Sequence, residues 1–122
     1  MTVAGLERKT DPQLKRTIVE LRRIGAENEA PIWRDVAARL AKPGKTWAQV
    51  NVQKVQEVAG KEPAVVCGKV LSTGTLSAPI RVAAYHFSEN ARRKIEAAKG
   101  DALGILDLAK ENPKGTGVRI VG

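Results

Sequence analysis

The spacing of apolar residues changes at Gly60, and that change restricts the fold more than any other feature. Before it, apolar side chains recur every three or four residues: Leu14, Ile18, Leu21 and Ile24, then Ile32, Trp33, Val36, Ala37 and Leu40. This is the period of helices with one buried stripe. After it, Ala64–Leu71 and Ile80–Tyr85 are apolar runs of strand length, with Gly74 and Pro79 as turn signals between them. The chain therefore reads as α/β, with helices first and a mixed β/α region behind them.

Local signals place the boundaries. Asp11-Pro12 offers a capping carboxylate and a proline suited to the first helical position. Pro31 starts a second helix, which must stop before Pro43 because proline disfavours helix in the residue preceding it. Lys42–Trp47 reads as a loop, and Asn51 as the cap of a short helix bearing Val52, Val55 and Val58 and closed by Gly60. Ser88 is expected to cap a helix running to Lys99, with Ala91, Ile95 and Ala98 inward and Gly100 closing it. Asp101 is expected to cap another, bearing Leu103, Leu106 and Leu108. Asn112–Gly115 has the form of a β-turn, and Val118–Val121 that of a last short strand. Nothing splits the chain, so residues 11–122 are expected to form one domain and residues 1–10, which lack periodicity but carry Arg8 and Lys9, a flexible basic arm. Hydrophobic residues make up 43% but aromatics only 3%, so the core must be built from small aliphatic side chains.

Charge narrows the function. The net charge is +8, and the windows 36–56 and 63–88 contain no acid. Unopposed positive potential on a small domain favours a polyanion, nucleic acid before a membrane surface. Lys15, Arg16, Arg22 and Arg23 cluster on one side of the first helix, either as a solvated face or as a phosphate-facing stripe. Lys42, Lys45 and Trp47 lie in the loop, Lys54 on the third helix, Lys69 and Arg81 in the strands, and Lys114 in the C-terminal turn. Trp47 could stack on a base or pack beneath its own loop, while Trp33 lies on an apolar stripe and reads as a core anchor.

The stretch Cys67-Gly-Lys-Val-Leu-Ser-Thr-Gly74 has the residue types of a phosphate loop but not their order: Lys69 follows the first glycine, and no helix opens after Gly74. Nucleotide binding is not expected. One cysteine and one histidine allow neither an intrachain disulfide nor an ordinary zinc site. His86, beside Phe87 at a strand end, reads as packing, and Cys67 as buried and inert. No enzyme, cofactor or metal is expected. The absence of a long apolar run or signal-like leader reads as a soluble protein of a reducing, intracellular compartment. A small hydrolase or transferase using His86 and Cys67 is the reading from the enzyme class.

Ordered pieces of the chain resemble the large-subunit ribosomal protein family eighteen-e of archaea and eukaryotes. They are Trp33–Leu40, Arg39–Pro43, Ala48–Val55, Gly68–Leu71 with Gly74, Val82–Ala84 with Phe87-Ser88, Ala91 with Lys94-Ile95, and Asn112–Gly115, together spanning about residues 10 to 121. The short chain is similar to the archaeal form. Gly44 and Trp47 stand where the family usually has basic residues, Cys67 where it has proline, and Asp11 where it has asparagine. Lys42 and Lys45 supply charge next to the first two. The resemblance implies an irregular β-β-α core of the ribosomal protein fifteen type behind N-terminal helices. It also implies a structural constituent of the large subunit in the cytoplasm, with ribosomal RNA and neighbouring ribosomal proteins as partners. The alternative is a free-standing nucleic-acid-binding module. Lys69 is then expected to meet an RNA phosphate while Cys67 packs inside. Positions two apart in a regular strand face the same side, so this requires a bulge at Gly68.

Overall fold

The computed structural model describes residues 11–122. The expected arm, with Arg8 and Lys9, lies outside them. Two helices come first, α1 (Pro12–Glu27) and α2 (Pro31–Ala41), followed by a 3₁₀ turn at Gly44–Thr46. Then come β1 (Ala48–Asn51), α3 (Val52–Ala59), β2 (Ala64–Leu71), β3 (Arg81–Phe87), α4 (Glu89–Ala97), β4 (Asp101–Gly104), α5 (Ile105–Glu111) and β5 (Arg119–Ile120).

The strands form one sheet in the order β1-β2-β3-β4, with β5 also paired to β2, and every pairing is parallel. β1 pairs with the C-terminal half of β2 and β5 with its first two residues. Parallel strands need cover on both faces, and their apolar residues divide accordingly. Val65, Cys67 and Ala83 join α1, α2 and α5 in one core around Leu14, Ile18, Leu21, Trp33, Val36 and Leu40. Ala64, Val66, Val70, Val82 and Ala84 join α3 and α4 in a second core through Val52, Val55, Ala91 and Ile95. Trp33 is fully buried, and its indole N–H donates to the Asn112 carbonyl at 3.1 Å, tying α2 to the C-terminal turn.

Several expected boundaries hold. The Asp11 carboxylate accepts the Gln13 N–H at 2.9 Å, and the Ser88 hydroxyl accepts the Ala91 N–H at 3.1 Å. Others need correction. Asp101 does not cap a helix: residues 101–104 are an edge strand, Leu103 lies on it half-buried, and the helix begins at Ile105. Asn51 precedes α3, but its side chain caps nothing there and instead accepts the Thr73 N–H at 3.1 Å. Val58 is 45% exposed and does not share the buried stripe of Val52 and Val55. The helix expected to reach Lys99 ends at Ala97. Lys99 itself takes the left-handed turn (φ 63°), while Gly100 is needed for space, because a Cβ there would lie 2.3 Å from the Ile80 carbonyl oxygen.

The connection from β2 to β3 carries no helix. Residues 72–80 run back as an open strap, although a parallel crossover ordinarily uses a dozen or more residues, most often with a helix. Its backbone groups bond to side chains instead. The Gln53 carbonyl accepts the Thr75 N–H at 3.2 Å, and the Gln56 carbonyl accepts those of Ser77 at 2.8 Å and Ala78 at 3.1 Å. The Lys94 ammonium donates to the carbonyls of Ser72 at 2.6 Å and Gly74 at 2.7 Å. Lys94 is thereby a structural cation.

Candidate nucleic-acid interface

The β2–β3 register slips between Val66 and Lys69, so that Cys67 and Gly68 together oppose Tyr85. This is the expected bulge. Gly68 sits so close to β1 that an added Cβ would lie 2.0 Å from the Ala48 carbonyl oxygen. Across the bulge Cys67 is buried and Lys69 is exposed. Burial pushes the Cys67 thiol up to about 11, so it is protonated and unreactive at neutral pH. Lys69 pairs in register with Gln49 of β1 and His86 of β3, and all three are exposed. They form a polar row near the carboxyl ends of the strands, where a parallel sheet presents its ligands in open α/β folds.

An aromatic series flanks this row. Trp47 meets Tyr85 edge-on at 5.5 Å between ring centroids, and Tyr85 meets His86 edge-on at 4.7 Å. Trp47 is half-buried against the first core, and its indole N–H donates to the Lys42 carbonyl at 3.1 Å. Of the two readings of Trp47, packing beneath its loop is the one the structure displays, in place of an exposed stacking surface. His86, expected to pack, is instead exposed. The Tyr85 hydroxyl donates to the Asp11 carboxylate at 2.8 Å. Burial and this carboxylate push the Tyr85 phenol up to about 12, while the same bond holds the Asp11 carboxyl below its ordinary range.

The other expected cations divide into two groups. Arg23 is held between Glu20 and Glu27, with contacts at 3.0 and 2.6 Å, so its guanidinium is shared by two carboxylates of its own helix. Arg81 is held by Glu111 and, at 3.5 Å, by Asp101. It opens β3 at the amino edge of the sheet and ties β3 to β4 and α5. Both guanidinium groups are thus engaged within the chain. Lys45, Lys54, Lys69 and Lys114 are exposed and meet no carboxylate among the described residues. Lys42 and Arg16 are also exposed, while Lys15 and Arg22 are half-buried, Arg22 with an enclosed Nε that has no hydrogen-bond partner among the described residues. The structure therefore does not gather the expected residues into one patch. Lys69 lies near the carboxyl edge of the sheet with Lys54 just past β1, whereas Lys114 lies before β5, towards the amino edge.

Among the described residues no helix is long and apolar enough to cross a membrane, and no group of His, Cys, Asp or Glu could hold a metal ion. A family model that describes the ribosomal proteins 50S-L15 and 50S-L18e, together with their 60S counterpart, matches residues 31–103, from the start of α2 to β4. The chain belongs to this family. The eL18 branch is the one its relatives name. The chain is 49% identical to the large ribosomal subunit protein eL18 of Archaeoglobus fulgidus over 115 residues, covering 93% of this chain and 98% of that one. It is 47% identical to that of Methanoregula boonei, covering 93% and 94%, and 41% identical to that of Halobacterium salinarum, covering 93% and 97%. The resemblance read from the ordered sequence pieces is thereby shown, and the mixed α/β fold agrees with it. Gln49 and Tyr85 were not singled out in the sequence. Tyr85 carried one signal, as the only tyrosine in a chain with few aromatics.

Proposed function

We propose that the chain is a non-catalytic structural constituent of the large ribosomal subunit that binds ribosomal RNA and works in the cytoplasm, within the ribosome. The near full-length identity to proteins named as large-subunit components carries the ribosomal part of this reading. For RNA binding, the supporting observation is how the charges are used. Arg23, Arg39, Arg81, Arg93 and Arg119 pair with carboxylates of the chain, while Lys45, Lys54, Lys69 and Lys114 meet none among the described residues. Five arginines are thus engaged with carboxylates of the chain, and these four lysines are left for an external polyanion. Phosphate contacts of this kind position a protein on RNA without reading sequence.

The proposed contact set is Lys15, Arg16, Lys42, Lys45, Lys54, Lys69 and Lys114, joined by Arg8 and Lys9, which precede Asp11 in the chain. Arg22 and Trp47 act from the margin of this surface. Neighbouring large-subunit proteins complete the surroundings. The test is co-sedimentation of the tagged protein with large subunits through a high-salt wash, followed by crosslinking to RNA. A protein that leaves the subunit at moderate salt and crosslinks to no RNA overturns the reading.

A further inference from the structure

Beside the polar row, a crevice of about 490 Å³ opens at the carboxyl ends of β3 and β4. Its position follows from the connections. β3 leads into α4, which packs on the second core, whereas β4 leads into α5, which packs on the first. Adjacent parallel strands whose helices depart to opposite faces leave a gap between them, the place where open α/β sheets bind ligands. Nothing in the established family membership assigns a role to this gap.

The aromatic residues Tyr85 and His86 and the oxygen-bearing residues Asp11, Gln13 and Asp107 are among those that line the crevice. Asp107 carries no hydrogen bond among the described residues. Two cations are at hand: Lys110 on the lining and Lys69 beside His86 in the register. A phosphate would meet repulsion among the carboxylates but attraction at the lysines. A base bearing an exocyclic amino group meets the reverse, because that amino group donates hydrogen bonds that carboxylates accept. Ring faces of unstacked bases settle on aromatic side chains, and sequence-specific RNA recognition uses such splayed bases.

We propose that this crevice receives one unstacked, amino-bearing base of the RNA, with His86 as the stacking surface, Asp107 as the acceptor for the amino group, and Lys69 and Lys110 on the flanking phosphates. The proposal rests on the RNA-binding reading above and deepens it from phosphate contact to base selection. His86 is the outermost ring of the Trp47–Tyr85–His86 series, and Tyr85 is anchored to Asp11, so the stacking surface is held in place before RNA arrives.

The test uses the full chain with labelled hexaribonucleotides of adenine, cytosine and uracil, followed by fluorescence anisotropy at low salt. Uracil lacks an exocyclic amino group and should bind about tenfold more weakly than the other two, the ratio expected for one hydrogen bond to a charged acceptor. Asp107→Ala should erase that difference, and His86→Ala should weaken all three by about tenfold, the scale of a lost base–aromatic stack. Titration of the unsubstituted protein with the adenine oligomer should shift the Tyr85 and His86 ring proton resonances, which keeps the test independent of how the variants fold. Equal binding of all three oligomers with unmoved ring resonances overturns the crevice proposal while leaving phosphate contact intact. Ring resonances that respond to a hexa-arginine peptide but not to the oligomers also overturn it, in favour of a basic protein neighbour. Absence of binding to any RNA, including a large-subunit RNA fragment, removes the underlying RNA reading itself.

Discussion

Replacing Gly68 with alanine should damage the fold more than any other single methyl added at the polar row. The new Cβ would lie 2.0 Å from the Ala48 carbonyl oxygen and 3.0 Å from its carbon and nitrogen. These are backbone atoms of the neighbouring strand, so no side chain can rotate away. β1 must retreat by about 1.5 Å to restore normal contact. That retreat stretches the β1–β2 ladder over its four registered pairs and loosens Val52 and Val55 behind it. Overpacking costs about 1–3 kcal/mol and each weakened backbone hydrogen bond about 1 kcal/mol, so a loss of about 3 kcal/mol is expected. In a domain of this size that lowers the thermal midpoint by about 10–15 °C. Calorimetry of Gly68→Ala beside Gly44→Ala measures it, since a Cβ at Gly44 meets nothing within 4 Å and should leave the midpoint within about 2 °C. If Gly68→Ala melts with Gly44→Ala and the parent, the bulge is not set by the close approach of β1, and the account of why Lys69 faces outward fails with it.

Lys69→Ala should weaken binding to a ribosomal RNA fragment by about 1 kcal/mol with no change in the thermal midpoint of the free protein; a lower midpoint with intact binding would make Lys69 structural. Gln56→Ala should cost about 1–2 kcal/mol in urea denaturation, because the amides of Ser77 and Ala78 lose their acceptor, and faster hydrogen exchange confined to residues 72–80 should accompany it. Tyr85 titrates near 10 when unfolded and near 12 in the fold, so the stability tied to its protonated form is complete below pH 10 and lost as pH rises towards 12. Tyr85→Phe should flatten that alkaline decline in urea midpoints, and an unchanged slope would assign the decline to other groups. Iodoacetamide should modify Cys67 only after unfolding, since the thiol is buried and its pKa is raised to about 11; rapid labelling of the native protein at pH 8 would contradict its burial.

The long elements could be read from the residues because several independent signals coincide in them. α1 has its Asp11 cap, its Pro12 and four apolar positions at helical spacing, and β2 has a continuous apolar run because it is covered on both faces. The short edge strands could not. β1 and β4 hold four residues each, too few for a period to emerge, and Asp101 heads β4 with a side chain that is equally suited to a helix cap. The site divides in the same way. A glycine between Cys67 and Lys69 announced the bulge locally. The pairing of Arg81 with Glu111, thirty residues away, is a product of tertiary structure and had no local sign. The placement of His86 beside Lys69 likewise depends on register between strands, which no single stretch of sequence carries.

The sheet also has a bearing on how the chain acquires its structure. Every strand pairing among the described residues is parallel, so no hairpin is available to nucleate it. Each ladder must wait for the closure of a loop, and loop closure precedes any contact that rewards it. The most delayed is the edge next to Ala64 and Val65, which stays unpaired until Arg119 and Ile120 have been synthesised. A nascent chain therefore carries an open strand edge from the synthesis of β2 until that of β5. Early capture by a polyanion or a chaperone would shield this interval, and the order of synthesis itself thus becomes part of what the fold demands of the cell.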